Sequence, residues 1–325
     1  ISSTGSSNPG YNMEILVGDT LYFDANDGSS GAELWAHDTS NASTWRVADI
    51  NSGSSGSSPG DDGLAILVGD TLYFSATDGS SGIELWAHDT SNASTWQAAD
   101  ISGTGSSNPG DHMSILVGDT LYFNADDGSS GRELWAHDTS NASTWQAADI
   151  RSGVGFSNPG QQMSILVGDT LYFNAWDGSS GNELWAHDTS NASTWQVADI
   201  DSSGDDSSSP GDYMSMLVGD TLYFSADDGS SGHELWAHQP GEITSLSSGS
   251  GSGSGSVMTN VTGATSCVAS PGLPTGLNID SSTCTISGTP TVTTSNATYT
   301  VTAVINTVTH QTTVWLSTSP FATIT

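Results

Sequence analysis

The sequence predicts an all-β chain: a five-bladed β-propeller of four-stranded antiparallel blades, followed by a small second β module. Three observations predict it. Five near-copies of one unit of about 50 residues fill the first three quarters of the 325-residue chain, and such a period marks a propeller, a solenoid or an array. Each unit holds four short apolar and aromatic runs separated by Gly-Asp, Asp-Gly or Asn-Pro-Gly, which are hairpin and break signals. Runs such as Leu121-Tyr122-Phe123 do not alternate apolar with polar, so the strand needs cover on both faces. Blades stacked about an axis supply that cover; an open stack within a longer array is the alternative architecture.

The third unit shows the elements in order. Met113 to Gly118 is the first strand, and Gly-Asp turns it into the second, Thr120 to Ala125. Asp-Gly leads to the third, Glu133 to His137, and Asp-Thr-Ser-Asn-Ala-Ser leads to the fourth, Thr144 to Ile150. A longer Ser/Gly link ending in Asn-Pro-Gly opens the next unit. The fifth unit departs: after Trp236-Ala237-His238 it lacks the DTSNASTW segment, as terminal repeats often do when they cap or close a structure. The chain opens at Ile1-Ser-Ser-Thr-Gly, which matches Ile101-Ser-Gly-Thr-Gly. It therefore begins inside the repeat phase, which suggests a trimmed product with further units upstream. No signal peptide is visible. The propeller is assigned to residues 1–246, a Gly/Ser linker to 247–256, and a second domain to 257–325, rich in Thr, Val, Ser and Pro. Its strands are expected near Cys267–Ser270, Thr283–Ser287, Thr298–Ile305 and Thr312–Thr318.

Charge narrows the function. There are 36 Asp and Glu against 3 Lys and Arg, a formal net charge of -33. The bases are Arg46, Arg132 and Arg151; Lys is absent from the sequence. Most carboxylates must be solvated, hydrogen-bonded to backbone N–H, or bound to cations. Self-repulsion of this size is tolerable in salty water, where the Debye length is ~8 Å or less. This points to a marine, halophilic or cation-rich extracellular setting. Nucleic acid is excluded as a partner for want of a basic patch, and anionic membranes are disfavoured likewise. The longest aliphatic runs fall far short of the ~20 residues of a membrane span. Cys267 and Cys284 form an even pair in a strand-rich segment, which suggests a disulfide worth ~3 kcal/mol by loop entropy. Asn41, Asn92, Asn141, Asn191, Asn260 and Asn296 each begin N-x-S/T, either glycosylation acceptors or serine-rich turns that happen to match.

The ordered motifs LYFxAxDGxxGxELW over residues ~10 to 240 resemble the ELW-type repeats of bacterial and archaeal cell-surface proteins. The His-Asp-Thr-Ser-Asn that follows replaces the usual Asp-Gly-Thr of that pattern. Pro271-Gly-Leu-Pro-Thr-Gly-Leu, Ser281-Ser-Thr-Cys-Thr-Ile-Ser-Gly-Thr-Pro and Ala297-Thr-Tyr-Thr-Val-Thr-Ala are similar to the immunoglobulin-like domains of prokaryotic surface proteins. These resemblances imply a propeller-like extracellular module and a small immunoglobulin-like β-sandwich used as spacer or adhesion module. With the acidic bias, the combination resembles a marine archaeal surface protein.

Several residue sets could carry chemistry. Asp27, Asp78, Asp127, Asp177 and Asp228, with Glu33, Glu84, Glu133, Glu183 and Glu234, have calcium-loop composition. Their spacing differs from known calcium loops, and the competing reading is that Asp-Gly makes the turn. Calcium is the candidate cofactor of these acids. His37, His88, His137, His187 and His238 recur after Glu-Leu-Trp-Ala. They form either an axial ring able to bind metal or, as preferred, hydrogen bonds within their own blades. Trp35, Trp86, Trp135, Trp185 and Trp236 are expected between blades, as are Trp45, Trp96, Trp145 and Trp195, with sugar stacking as an alternative.

Where the units differ is also informative. The differences fall at Tyr11-Asn12, Asp61-Asp62, Asp111-His112, Gln161-Gln162 and Asp212-Tyr213; at Ala32, Ile83, Arg132, Asn182 and His233; and at Asn26, Thr77, Asp126, Trp176 and Asp227. Variable loops on a rigid scaffold are where binding residues sit, and neutral drift is the competing reading. No catalytic set stands out from the repeat background, so the expectation is a non-enzymatic extracellular surface protein: an adhesion, coat or filament subunit. Its partners would be further copies, other surface proteins or glycans. A lectin with repeated sites is the alternative.

Overall fold

The computed structural model describes residues 1–3, 5–239, 242–245, 264–282, 284, 286–288, 294–305 and 308–318. The expected linker at 247–256 and Asn260 lie outside the described residues. All regular structure among them is β. Two compact units are present: residues 1–217 with 224–234, and residues 218–223 with 235–325.

The fold class is as expected: each repeat is a four-stranded antiparallel meander of propeller-blade type. In the first blade the strands are Glu14–Val17, Thr20–Asn26, Ala32–Asp38 and Ser43–Ala48. The third blade repeats them at Ser114–Val117, Thr120–Asp126, Arg132–Asp138 and Ser143–Ala148. Gly18 and its counterparts turn the first hairpin at positive φ, a conformation that costs glycine nothing. The fifth sheet runs Ser215–Val218, Thr221–Asp227, His233–Gln239 and Glu242–Ser245. Its last strand pairs Glu242 with Gln239, so the blade that lacks DTSNASTW still completes its meander.

The non-alternating second strands have the two-sided cover they require. One face of each blade offers Met113, Tyr122, Leu134 and Ala136, or their equivalents, to the next blade. That next blade answers with Leu171, Phe173 and Ala175. The same contact joins blades one and two, and blades two and three. Phe74, Phe123 and Phe173 are fully buried there, each worth roughly 2–3 kcal/mol of apolar transfer. The histidines bridge blades. His88, His137 and His187 stack on Tyr22, Tyr73 and Tyr122 of the preceding blade, with ring centroids 5.5, 5.3 and 5.3 Å apart. Each also hydrogen-bonds within its own blade, Nδ1 to Thr95, Thr144 or Thr194 Oγ1 at 2.7–2.8 Å, as the preferred sequence reading held.

The tryptophans divide. Trp86, Trp135 and Trp185 pack into the inter-blade clusters. Trp45, Trp96, Trp145 and Trp195 do not; each lies on a fourth strand, 38–41% exposed. The expectation that both sets pack between blades is corrected, because the outermost strand of a meander has cover only where a neighbouring blade reaches it.

The second unit carries a three-stranded sheet of Ala264–Ser270, Thr294–Ile305 and Val308–Thr318. A short hairpin pairs Leu277–Ile279 with Ile286–Gly288. Cys267 and Cys284 form the expected disulfide, with Cα atoms 5.3 Å apart, inside a core that includes Leu277, Ile286 and Tyr299.

Candidate functional site

The three variable sets of positions, scattered in sequence, meet at one edge of the blades. Two meet through strand register, since the end of each second strand faces the start of the third. Asn26 pairs with Ala32, Thr77 with Ile83, Asp126 with Arg132 and Trp176 with Asn182. The other set, just before the first strand, is tied to the same edge by a polar side chain buried in the second strand. Asp24 Oδ1 accepts from Asn12 N and Met13 N at 2.9 and 3.2 Å. Asn124 Oδ1 accepts from His112 N and Met113 N at 2.8 and 3.0 Å, and Asn174 Oδ1 from Gln162 N and Met163 N at 2.8 and 2.9 Å. Ser75 and Ser225 receive Asp62 N and Tyr213 N through Oγ. Sequence reasoning missed this anchor. Its signal was available: Asp, Ser, Asn, Asn and Ser in turn within an otherwise constant Thr-Leu-Tyr-Phe-x-Ala.

Each blade builds different chemistry on this common frame. In the third, Arg132 Nη1 lies 2.9 Å from Asp111 Oδ2 and 2.8 Å from His112 Nε2. Burial lowers the pKa of His112, favouring the neutral ring that can accept from the guanidinium. Asp62, on the neighbouring blade, is pushed up to about 6, first by burial and then by the charges of Asp111 and Asp61, with Arg132 acting in the other direction. In the fourth, Asn182 Nδ2 donates to Gln162 Oε1 at 2.9 Å, and Asn174 Nδ2 to Asn182 Oδ1 at 3.1 Å. Trp176 carries the Arg151 guanidinium 3.7 Å from its ring centroid, close enough for a cation–π contact. A cavity of about 250 Å³ opens beside it, lined by Asn158, Gln161, Trp176, Asn182, Asp205 and two serines. In the fifth, Tyr213 meets His233 edge-on, with centroids 4.8 Å apart.

The opposite edge is constant in the first four blades. It holds the Gly-Asp turns and the Asp-Thr-Ser-Asn-Ala-Ser turns, where Asp38 Oδ1 accepts from Ser40 N at 2.8 Å and Asp38 Oδ2 from Asn41 Nδ2 at 2.7 Å. Asn92, Asn141 and Asn191 repeat that amide bond to Asp89, Asp138 and Asp188. These four sequon asparagines are exposed. Asn296 falls in the strand Thr294–Ile305.

The acids considered for calcium have separate tasks. Asp27 Oδ1 accepts from Ser29 N and Ser30 N at 2.8 Å. These bonds, led by Ser30, hold its pKa at about 2. Asp78, Asp127, Asp177 and Asp228 cap the same turn. Glu133 is buried instead, and its carboxyl accepts from Ile150 N at 2.7 Å, Ser157 Oγ at 2.7 Å and Ser157 N at 3.2 Å. Glu33, Glu84 and Glu183 make the same latch to Ser57, Ser107 and Ser208, whereas Glu234 is exposed. Burial pushes Glu133 and Glu183 up to about 7 and raises Glu33 and Glu84. Among the described residues, no group of three or more His, Cys, Asp or Glu is placed to hold a metal.

Residues 239–319 match the family model described as Putative Ig domain, about a quarter of the chain. No curated protein matches by sequence. Among solved structures, a puromycin hydrolase is 12% identical over 79% of this chain and 42% of its own, with a TM-score of 0.44. A prolyl endopeptidase is 10% identical over 95% and 50%, with a TM-score of 0.43. BamB from Moraxella catarrhalis is 15% identical over 92% and 82%, with a TM-score of 0.36. The chain spans half or less of the hydrolase and endopeptidase chains. The sequence expectation of a non-enzymatic protein is corrected by these matches: several of the similar structures are peptidases or hydrolases. The similarity is one of fold, and no activity passes from them to this chain.

Proposed function

We propose that the blades form the recognition part of an extracellular surface protein, with an adhesive or structural role, whose variable edge meets the partner. The observation that carries this reading is the convergence of three separate variable sets on one edge, while the opposite edge is the same in the first four blades. A constant scaffold with one variable rim is the arrangement in which loops carry binding. The resemblance to ELW-type cell-surface proteins, the sequons on the constant edge and the net charge of -33 support an extracellular, salt-rich setting. Asn41, Asn92, Asn141 and Asn191 would then carry glycans away from the binding edge.

A glycan partner is the second reading, and the Trp176 cavity favours it. Its volume suits a single sugar ring, and amides line it. Trp176 Nε1 and Asn158 Oδ1 are both buried without a hydrogen-bond partner. One hydroxyl could accept from the first and donate to the second.

A glycan array and a cell-binding assay with labelled chain test both readings. Trp176→Asp, Arg132→Asn and His233→Asn, combined, should abolish binding, while Ser40→Ala and Ser140→Ala on the constant edge should leave it unchanged. Binding that survives the triple change, or that is lost equally from either edge, would overturn the recognition reading. Cell binding without any glycan signal would remove the sugar reading alone.

A further inference from the structure

Three blade-to-blade contacts within the chain define what each face of a blade accepts. The receiving face is that of Leu72, Phe74 and Ala76 in blade two, completed by Leu67 and Trp86. It takes the Met, Tyr and Leu face of the blade before it. Among the described residues, no blade covers the receiving face of blade one. Leu16 is 61% exposed, where Leu67, Leu116 and Leu166 are half-buried. Leu21 is half-buried, where Leu72, Leu121 and Leu171 are fully buried. His37 keeps its bond to Thr44 Oγ1 at 2.8 Å, yet it is half-buried where His88, His137 and His187 are enclosed by a tyrosine. A cavity of about 450 Å³ stands there, lined by Ile1, Leu21, Phe23, His37 and Thr44 among others.

The same chain exposes the mate of that face. In blade five Met214 is 38% exposed, where Met163 at the same position is 3% exposed, and Met216 is 50% exposed. The repeat also places Tyr223 at the position from which Tyr22, Tyr73 and Tyr122 stack on the next blade's histidine.

We propose that the outer face of blade one docks the outer face of blade five of a second copy of this chain. Copies then join head to tail by repeating the contact that already joins consecutive blades. The occupant is set by complementarity demonstrated three times in the molecule: Leu, Phe, Ala and His on one side, and Met or Leu, Tyr and Leu on the other. Because the two faces are different, the contact is heterologous and does not close on a pair of copies. It extends the array and lines up the variable edges of successive copies. The charge of -33 per chain opposes it, so salt controls it. This assembly is separate from the recognition reading and does not depend on it.

Sedimentation velocity of the full chain tests the proposal, at low salt and at about 1 M salt, where the Debye length falls to roughly 3 Å. The wild-type chain should form species that grow with concentration in high salt. Leu16→Glu and Met216→Glu, both at exposed positions that leave the single chain folded by circular dichroism, should each abolish growth. Their mixture should yield one-to-one dimers and nothing larger, because L16E keeps an intact fifth blade and M216E an intact first blade. A wild-type chain that stays monomeric at every salt concentration overturns the proposal. So does either variant assembling like wild type, or a mixture that stays monomeric while wild type assembles.

Discussion

Ser157→Ala removes one hydroxyl from the latch between the third and fourth blades. Ser157 Oγ donates to Glu133 Oε2 at 2.7 Å, its N–H to Glu133 Oε1 at 3.2 Å, and its carbonyl accepts from Trp176 N at 2.9 Å. Its importance depends on the charge of Glu133. Burial pushes that carboxyl from near 4.5 up to about 7, so at about pH 5 it is protonated in the folded chain and the lost bond is to a neutral group, costing about 1 kcal/mol. At about pH 8 the carboxylate is exposed to the full loss of a charge-assisted bond, about 2–3 kcal/mol. The sign follows from linkage. A carboxyl whose folded pKa is raised contributes stability that is present below its unfolded value and is lost as pH rises through the folded one. The Ser157 hydroxyl opposes that rise, so removing it lifts the folded pKa further, by roughly one unit if the two costs differ by about 1.4 kcal/mol. Denaturant unfolding of wild type and S157A at the two pH values measures this, with hydrogen exchange at Ile150 as a local readout. A destabilisation that is equal at both, or larger in acid, refutes the argument.

Phe123→Ala should cost about 3–5 kcal/mol, because the ring is fully buried between blades two and three; thermal unfolding measures it, and Phe173→Ala should match it. Burial lowers the pKa of His88, His137 and His187. Their stacking therefore stabilises the blades above the ordinary value near 6.5 and is lost as pH falls through the folded values. His137→Gln should flatten the acid limb of a pH–stability curve. Reducing the Cys267–Cys284 disulfide should destabilise the C-terminal module by about 2–4 kcal/mol while leaving the melting of the blades unchanged, which calorimetry with and without reductant can separate.

The strands were legible because each is punctuated by its own turn residues, and their ends fell within one or two residues of the third unit's expected spans. The disulfide was legible because the sequence has only two cysteines. What joins different units was not legible. His137 stacks on Tyr73, a partner 64 positions away in the previous repeat, and inter-blade register has no signature within one repeat. In sequence the Asp and Glu of each unit fit either a ligand set or a plain Asp-Gly turn, because they lie close together. In the fold a capped turn separates them, with Asp127 holding the turn and Glu133 buried beneath the connection. The variable positions were visible as three lists, and only the strand register Asp126 to Arg132 and the Asn124 anchor place them together. Arg151 on Trp176 joins two residues that each replace a small or polar one elsewhere, so rarity was the only clue. In the C-terminal module, Leu277–Ile279 was missed because a three-residue strand is too short to show a pattern.

The sameness of the blade-to-blade contact bears on how such a gene changes. Because one contact recurs at the three junctions among the first four blades, an in-frame duplication of about 50 residues there adds a blade that fits at both sides without any compensating substitution. A deletion of the same length removes one as cleanly. Unequal recombination between near-identical copies therefore meets little structural resistance, and array length becomes a quantity that a lineage can alter in single events. Each new blade arrives with a copied edge, and point substitutions at Trp176-like positions can then diversify it while the stacked faces remain under constraint.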